Sequence, residues 1–495
     1  MLEFNQIILN SHQFFFGLVI CAFSFLIVLD LPELKESAPL EARKFLVSVL
    51  LTIAIGVFYV LYEAWGERGL FFAFEFTILV IFSLIHPKYA ISFLVYLLLS
   101  RPWESYDNQM MASMPRDASY LALLSLGTHK LIKKKFYFRF NFGTLFIMAF
   151  AIWIFLSGFF SNHADEAIMQ YIEIFSKGVI LFLLIQNGIE DVKDITPVKI
   201  VFVLAILEKC FVSFYKSRFI EMATVIEEAN ERLESVGILS NSNDIAAIFV
   251  LAIPFTVYFV LKSRIQPFNW LLSIVLIAVM TYLVWESQSR GALLGMLAIW
   301  GAFVLVKIKS KKVLMLFMVV GVVGTLGAFK LMNRDAEDIE GSTSNRILYW
   351  KAGLNMALRN PVFGVGFWGY PRNLPAYAPN GNVGSEKEHM TAHSSWVLAL
   401  GEGGFPSLFF FVGLWLYAAF CAWKIRETEP EYFLGIAGYG MSISFLSHTY
   451  LLYPYILLAL AITHSHIQTE RAKNESSVDD PEMDPACYRW GTSRY

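Results

Sequence analysis

The sequence predicts an all-α fold, a polytopic transmembrane helical bundle of about 12–15 spans with a large, partly helical extracytoplasmic loop. Two observations carry that prediction. Of the 495 residues, 56% are hydrophobic and only 16% are charged, against about 25% charged in an ordinary soluble domain. Apolar runs of about 20 residues, the length that crosses a hydrocarbon core, recur from end to end. A transmembrane β-barrel would show short alternating segments instead.

Taken in order, the runs fall near 14–30, 44–62, 68–86, 89–100, 117–132, 141–160, 166–187, 195–214, 244–262, 268–285, 290–307, 313–331, 395–422, 431–450 and 452–467. Those at 89–100 and 452–467 are short, the length of half-helices or parts of hairpins. The N-terminus, MLEFNQIILNSHQFFFGL, has no basic region and no small-residue cleavage site, so no cleaved signal peptide is expected. Cys21, Cys210 and Cys421 lie in apolar runs and Cys487 in a polar tail, without metal or disulfide spacing. They read as small buried hydrophobes. Glu75, Glu208 and Lys209 also fall in apolar runs, where interhelical pairing explains them.

Sidedness follows from short basic loops. HKLIKKKFYFR (129–139), LKSR (261–264), KIKSKK (307–312) and WKIR (423–426) all land on one face when the spans between them are counted. That face is expected to be cytoplasmic, and a polar, disordered tail over 468–495 ends there. The other face receives RPWESYDNQMMASMPRD, SNHADE, the segment 215–243 and the long loop 333–394. The chain thus divides into N-terminal helices over 1–236, a second transmembrane region over 237–467 that contains the long loop, and the tail. From Phe219 to Val236 the apolar spacing suits an amphipathic helix lying on the membrane surface, an outer segment near 215–236. In the long loop, STSNRILYWKAGLNMALRNP reads as another helix, with Ser344 as its N-cap, Arg346 in its first turn and Pro361 after its stop.

The outer face collects the candidate functional residues: Asn243 in GILSNSNDIAAIF, Arg290 in SQSRGALLGML, Arg346 in the loop helix, and His393 in TAHSSWVLALGEGG. An arginine at the lip of an apolar run is costly in lipid and asks for a partner. On this face Arg290 is no positive-inside anchor. Its simplest alternatives are snorkelling to the interface or pairing with Glu286. Glu402, inside the outer half of a span, is a possible partner for one of the arginines. His389 and His393 are spaced as zinc ligands on a helix would be, but Met390 stands where the zincin motif needs Glu and no third ligand is apparent, so no metal is expected. Gly364, Gly366 and Gly369 spell G-x-G-x-x-G. A helix precedes them and Pro371 follows, so a tight turn is the reading rather than a dinucleotide fingerprint. The net charge of −2 gives no nucleic-acid footprint.

In order and surroundings, these residues resemble the bacterial O-antigen ligase and O-antigen polymerase superfamily, best from about Gly237 to Ser407. The resemblance implies a metal-independent glycosyltransferase of the inner membrane, without a cofactor and with its site on the extracytoplasmic side. The implied donor is a glycan on undecaprenyl pyrophosphate, and the acceptor is another glycan, lipid A core or protein, with membrane lipids around. Arg290 and Arg346 match the family's two arginines and would bind pyrophosphate. His393 matches the histidine that closes the large loop and would be the catalytic base. Asn243, Glu402 and His389 remain possible secondary residues. The family has Asn after that histidine, where this chain has Ser394. The chemistry fits: guanidinium groups pair with phosphate oxygens, and an imidazole takes a proton near neutral pH. Ligase and polymerase both remain open. The alternative from another class is a transporter or channel for a small solute that shares the same domain. A transporter would place its polar site near the bilayer midplane, often with repeat symmetry, whereas these residues gather at one lip.

Overall fold

The computed structural model describes residues 14, 16–19, 81, 86–101, 114–133, 138–215, 241–262, 269–331, 336–379 and 390–478. The expected spans at 44–62 and most of 14–30 and 68–86, the surface helix at 219–236, Glu75, Cys21, Cys487 and His389 lie outside the described residues. Among the described residues the structure is helical with no strand, an all-α membrane fold. The helices are α1 (Pro87–Ser100), α2 (Met114–Ile132), α3 (Phe142–Gly158), α4 (Ala164–Gly188), α5 (Ile195–Tyr215), α6 (Ser242–Lys262), α7 (Asn269–Glu286), α8 (Arg290–Lys307), α9 (Lys311–Leu331), α10 (Ala336–Arg359), α11 (Tyr370–Tyr377), α12 (Ser395–Lys424), α13 (Pro430–Ser442) and α14 (Leu452–Val478).

Among the described residues, α4, α6, α8 and α12 are each long and apolar enough to cross a membrane, and α1, α3 and Ser273–Glu286 of α7 are shorter apolar helices. Large apolar side chains stand exposed on the perimeter, among them Met315, Leu316 and Val323 of α9 and Phe409, Leu416 and Phe420 of α12. An exposed apolar band of this kind is what a lipid-facing surface needs. The interior is held by close backbone approach as well as by bulk. In α8, Gly291 and Gly295 are four residues apart and face Phe445 and α13 respectively. A Cβ on Gly295 would sit 2.2 Å from Ser442 Oγ and 2.8 Å from the Gly438 carbonyl oxygen. Small residues at this spacing let two membrane helices touch. Gly295→Val should therefore destabilise the fold by about 1–3 kcal/mol. Gly324→Val on α9, where a Cβ meets nothing within 4 Å, should be neutral. Thermal unfolding of the two variants in detergent checks this.

Ion pairs fix one end of the bundle. Lys133 meets Glu190 at 3.1 Å, Lys199 meets Glu429 and Glu431 at 2.6 and 2.7 Å, and Lys262 meets Glu429 at 2.7 Å. Arg139 donates to the Ile189 carbonyl, and Arg471 pairs with Asp191. These contacts draw together the loops after α2, α4, α6 and α12, three of which are basic loops that the sequence put on one face. Helices α6, α8 and α12 each end at this face and begin at the other, which fixes where the candidate site lies. Glu208 of α5 accepts from the Tyr96 hydroxyl of α1 at 2.8 Å, an interhelical pair as expected, and Cys210 and Cys421 are buried and free.

Three expectations change. The loop helix begins at Ala336, so Ser344 is not its N-cap and Arg346 lies about three turns in. The acidic stretch AEDIE suits a first helical turn, which favours negative charge. The run at 431–450 is not one helix. It stops at Ser442, passes through a single tight turn at Ile443–Phe445, and stays non-helical until Leu452. At the polar end, α14 continues to Val478, past the point where the tail was expected to lose structure.

Candidate active site

The non-helical segment between α13 and α14 is the hub of the far end. Irregular backbone at membrane depth is tolerated only where protein satisfies it, and here Ser395 does so. Its hydroxyl donates to the Leu446 carbonyl at 2.7 Å and accepts from the His448 amide at 2.8 Å, while its own carbonyl accepts from Thr449 Oγ1 at 2.8 Å. Trp396 donates to Ser444 Oγ at 2.9 Å and Ser447 to Thr391 Oγ1 at 3.0 Å. The strand of chain that ends the long loop, 391–396, is thereby laid along the segment.

Arg290 opens α8. Ser289 caps the helix through the Ala292 amide, and Gln288 before it has φ 51°. Since α7 ends at Glu286 and a new helix starts at Arg290, the spacing of four that suggested a pair on one helix is broken by a turn. A Cβ on the next residue, Gly291, would lie 3.3 Å from Phe445 Cβ. The Arg346 guanidinium lies over the ring of this same Phe445, 5.8 Å from its centroid, and Trp350 one turn later packs on it at 6.0 Å. Arg346 and the start of α8 thus pack against one aromatic residue, although 56 residues separate the two arginines in the chain.

His393 sits two residues before α12 with φ 44°, a left-handed conformation that costs energy in any residue but glycine. Its ring lies 5.7 Å from that of Tyr349, one turn from Arg346 on α10. Burial, and then the positive charge of Arg346, lower its pKa below the ordinary histidine value, while Asp244 pulls it back up. Ser394 accepts from the Val397 amide and so caps α12.

Glu402 does something other than pair with an arginine. Its Oε1 accepts from the Tyr370 amide at 3.1 Å, and its carbonyl accepts from Ser157 Oγ at 2.6 Å. Tyr370 in turn donates its hydroxyl to the Tyr349 carbonyl. Glu402 therefore anchors the glycine turn and, through Tyr370, the part of α10 that carries Arg346. The turn needs its glycines. Gly364 and Gly366 have φ 60° and 87°, and a Cβ on Gly366 would lie 2.4 Å from the Ser161 amide nitrogen. Opposite it, α12 kinks at Gly404, φ 70°, and the Phe405 amide bonds the Pro361 carbonyl at 2.9 Å. The tight-turn reading of G-x-G-x-x-G agrees with this geometry. On α10 itself, Tyr349, Ala352 and Met356 are buried, while Ile347, Leu354 and Leu358 stay exposed.

Asn243 lies in the first turn of α6, and its amide and side chain both donate to Asn241 Oδ1. Its neighbour Asp244 is the residue that enters the interior network. Asp244 Oδ1 is 3.0 Å from His448 Nε2, and His448 Nδ1 is 2.8 Å from the Tyr439 hydroxyl. The sequence reading passed over both. The signals were a histidine inside the apolar SHTYLLYP and an acid beside Asn243.

Residues 274–412 match the family model described as O-Antigen ligase. Over these residues the chain is similar to the O-antigen ligase family. The match covers under a third of the chain. It includes Arg290, Arg346, His393 and Glu402, and it excludes Asn243, Asp244 and His448. No curated protein matches the chain. The match supports a ligase or polymerase of the O-antigen type, and the transporter alternative is not favoured.

Proposed function

We propose that this chain is a member of the O-antigen ligase superfamily and transfers a glycan from undecaprenyl pyrophosphate to an acceptor hydroxyl at the outer face of the bacterial inner membrane. The observation that carries the reading is that Arg346 and the Arg290 end of α8 both pack against Phe445, with His393 beside Tyr349 one turn from Arg346. A departing pyrophosphate gathers negative charge. Two guanidinium groups at a water-poor lip neutralise it with paired hydrogen bonds. The N-termini of α6, α8 and α12 all lie at this end, and helix N-termini favour anions. His393, with its pKa held down, is neutral near pH 7 and free to accept the acceptor's proton. The acceptor oxygen then bonds the anomeric carbon as the bond to the pyrophosphate oxygen breaks, and the pyrophosphate leaves with the electron pair. Metal-free catalysis by these three side chains is part of the proposal, as is the outward orientation of the site.

The test is transfer by the purified protein in nanodiscs from a synthetic undecaprenyl-pyrophosphate oligosaccharide. Turnover with this donor and none with the matching monophosphate supports the reading; equal use of both rejects it. In cells, deletion separates the two branches. Loss of attached long chains marks a ligase, and collapse to single repeat units marks a polymerase. An unchanged glycan profile counts against both.

A further inference from the structure

The chain Tyr439–His448–Asp244 runs from the protein interior to the first turn of α6, at the end of the bundle where Ser395 opens α12. Tyr439 is fully buried, the His448 side chain is 2% exposed and the Asp244 side chain is 24% exposed. An ionised carboxylate only accepts, so His448 Nε2 carries the hydrogen that bonds Asp244. In the neutral ring Nδ1 then accepts from Tyr439. The backbone of His448 is fixed by Ser395, two residues after His393. Asp244 is thus a carboxylate set in place from behind, with its charge at the open end.

We propose that Asp244, positioned by His448, is the anion that stabilises the imidazolium of His393 during transfer. This rests on the glycosyltransferase reading with His393 as base. When the acceptor hydroxyl gives its proton to the His393 ring, a positive charge appears close to Arg346. Asp244 offsets that charge and takes no proton itself, while the pyrophosphate leaves towards the two arginines. The charge balance at His393 follows from the elements around it: Arg346 and Tyr349 on α10, and Asp244 on α6 with His448 behind it. Arg346 lowers the basicity of His393 and Asp244 restores part of it. A base that is too weak transfers protons slowly, so a counter-anion is useful here. Asp244 and His448 both fall outside the family-matched residues, so the site is completed from the flanking helices.

Asp244→Asn tests this, because Asn still accepts from His448 Nε2 and should preserve the fold. Turnover of the synthetic undecaprenyl-pyrophosphate oligosaccharide is measured against pH, and the protonation midpoint of His393 is followed independently by site-resolved carbethoxylation and mass spectrometry. The expected result is a fall in turnover of about tenfold, with the acid limb and the midpoint both displaced by about one pH unit to lower pH, and KM for the donor unchanged. A fall in turnover with both pH markers unmoved means a structural role only and overturns the proposal, as does no change at all. His393→Gln run beside it separates the two levels. If that variant is inactive while the Asp244→Asn markers stay fixed, the proposal alone fails. If it keeps its turnover, the base itself is misassigned and the proposal falls with it.

Discussion

His393→Gln should lower glycan transfer by about two to four orders of magnitude while donor binding stays near normal, the loss typical of a missing general base. Gln can hydrogen-bond but cannot take a proton at neutral pH, and Arg290 and Arg346 remain to hold the pyrophosphate. The left-handed backbone at His393 calls for a second variant. Asn tolerates that conformation as well as His does, so His393→Asn removes the base without adding strain and should fail equally. If the histidine served only to lead the chain into α12, both variants would retain most activity. The pH profile carries the same logic. Burial, followed by Arg346, holds the His393 pKa below its ordinary value, so the neutral, proton-accepting form persists into mildly acid solution. Transfer should persist to lower pH than an ordinary histidine would allow and fall as pH drops through the lowered pKa. A half-maximum at or above the ordinary histidine value would contradict this environment.

Arg290→Lys is expected to cost on the order of 10²-fold in turnover, about 3 kcal/mol of transition-state stabilisation. Lysine keeps the charge but replaces a planar fork, matched to two phosphate oxygens, with a single point donor. Folding should survive, because Ser289 caps α8 and the glycine contact with α13 is made by Gly295. Kinetics with the lipid-linked donor, beside a thermal melt in detergent, separate the two effects. Near wild-type turnover would show that charge alone, or nothing at all, is required at this lip.

Hydrophobic runs made the helices legible: the expected start of the run at Arg290 and its end at Lys307 coincide with α8. Short basic loops also told which ends share a face, and ion pairs gather the loops after α2, α6 and α12 at one end. What stayed hidden was where apolar sequence is not helical. The stretch SISFLSHTYL lies inside a run read as one span, and nothing local announces that Ser395, some 50 residues earlier, will satisfy its backbone. Asp244 was obscured for a related reason. Its partner is 204 residues away, so no local spacing connects the two. Glu402 was read as a partner for an arginine because a carboxylate within a span demands one, but the demand is met by the Tyr370 amide. Backbone groups of a folded loop are invisible to a reading that matches side chains by charge.

The clasp between Ser395 and the segment 446–449 also sets how this protein can be recombined with its relatives. Ser395 lies within the family-matched residues 274–412, and Leu446, His448 and Thr449 lie beyond them. A chimera that exchanged only the matched residues would pair a foreign loop closure with the native segment, leaving Phe445 to seat a guanidinium it did not evolve beside. The smallest cassette that carries its own hub begins at α6, to include Asp244, and continues through α14. Swapping that larger cassette, with the N-terminal helices left native, asks which part of the chain chooses the acceptor without disturbing the part that handles the leaving group.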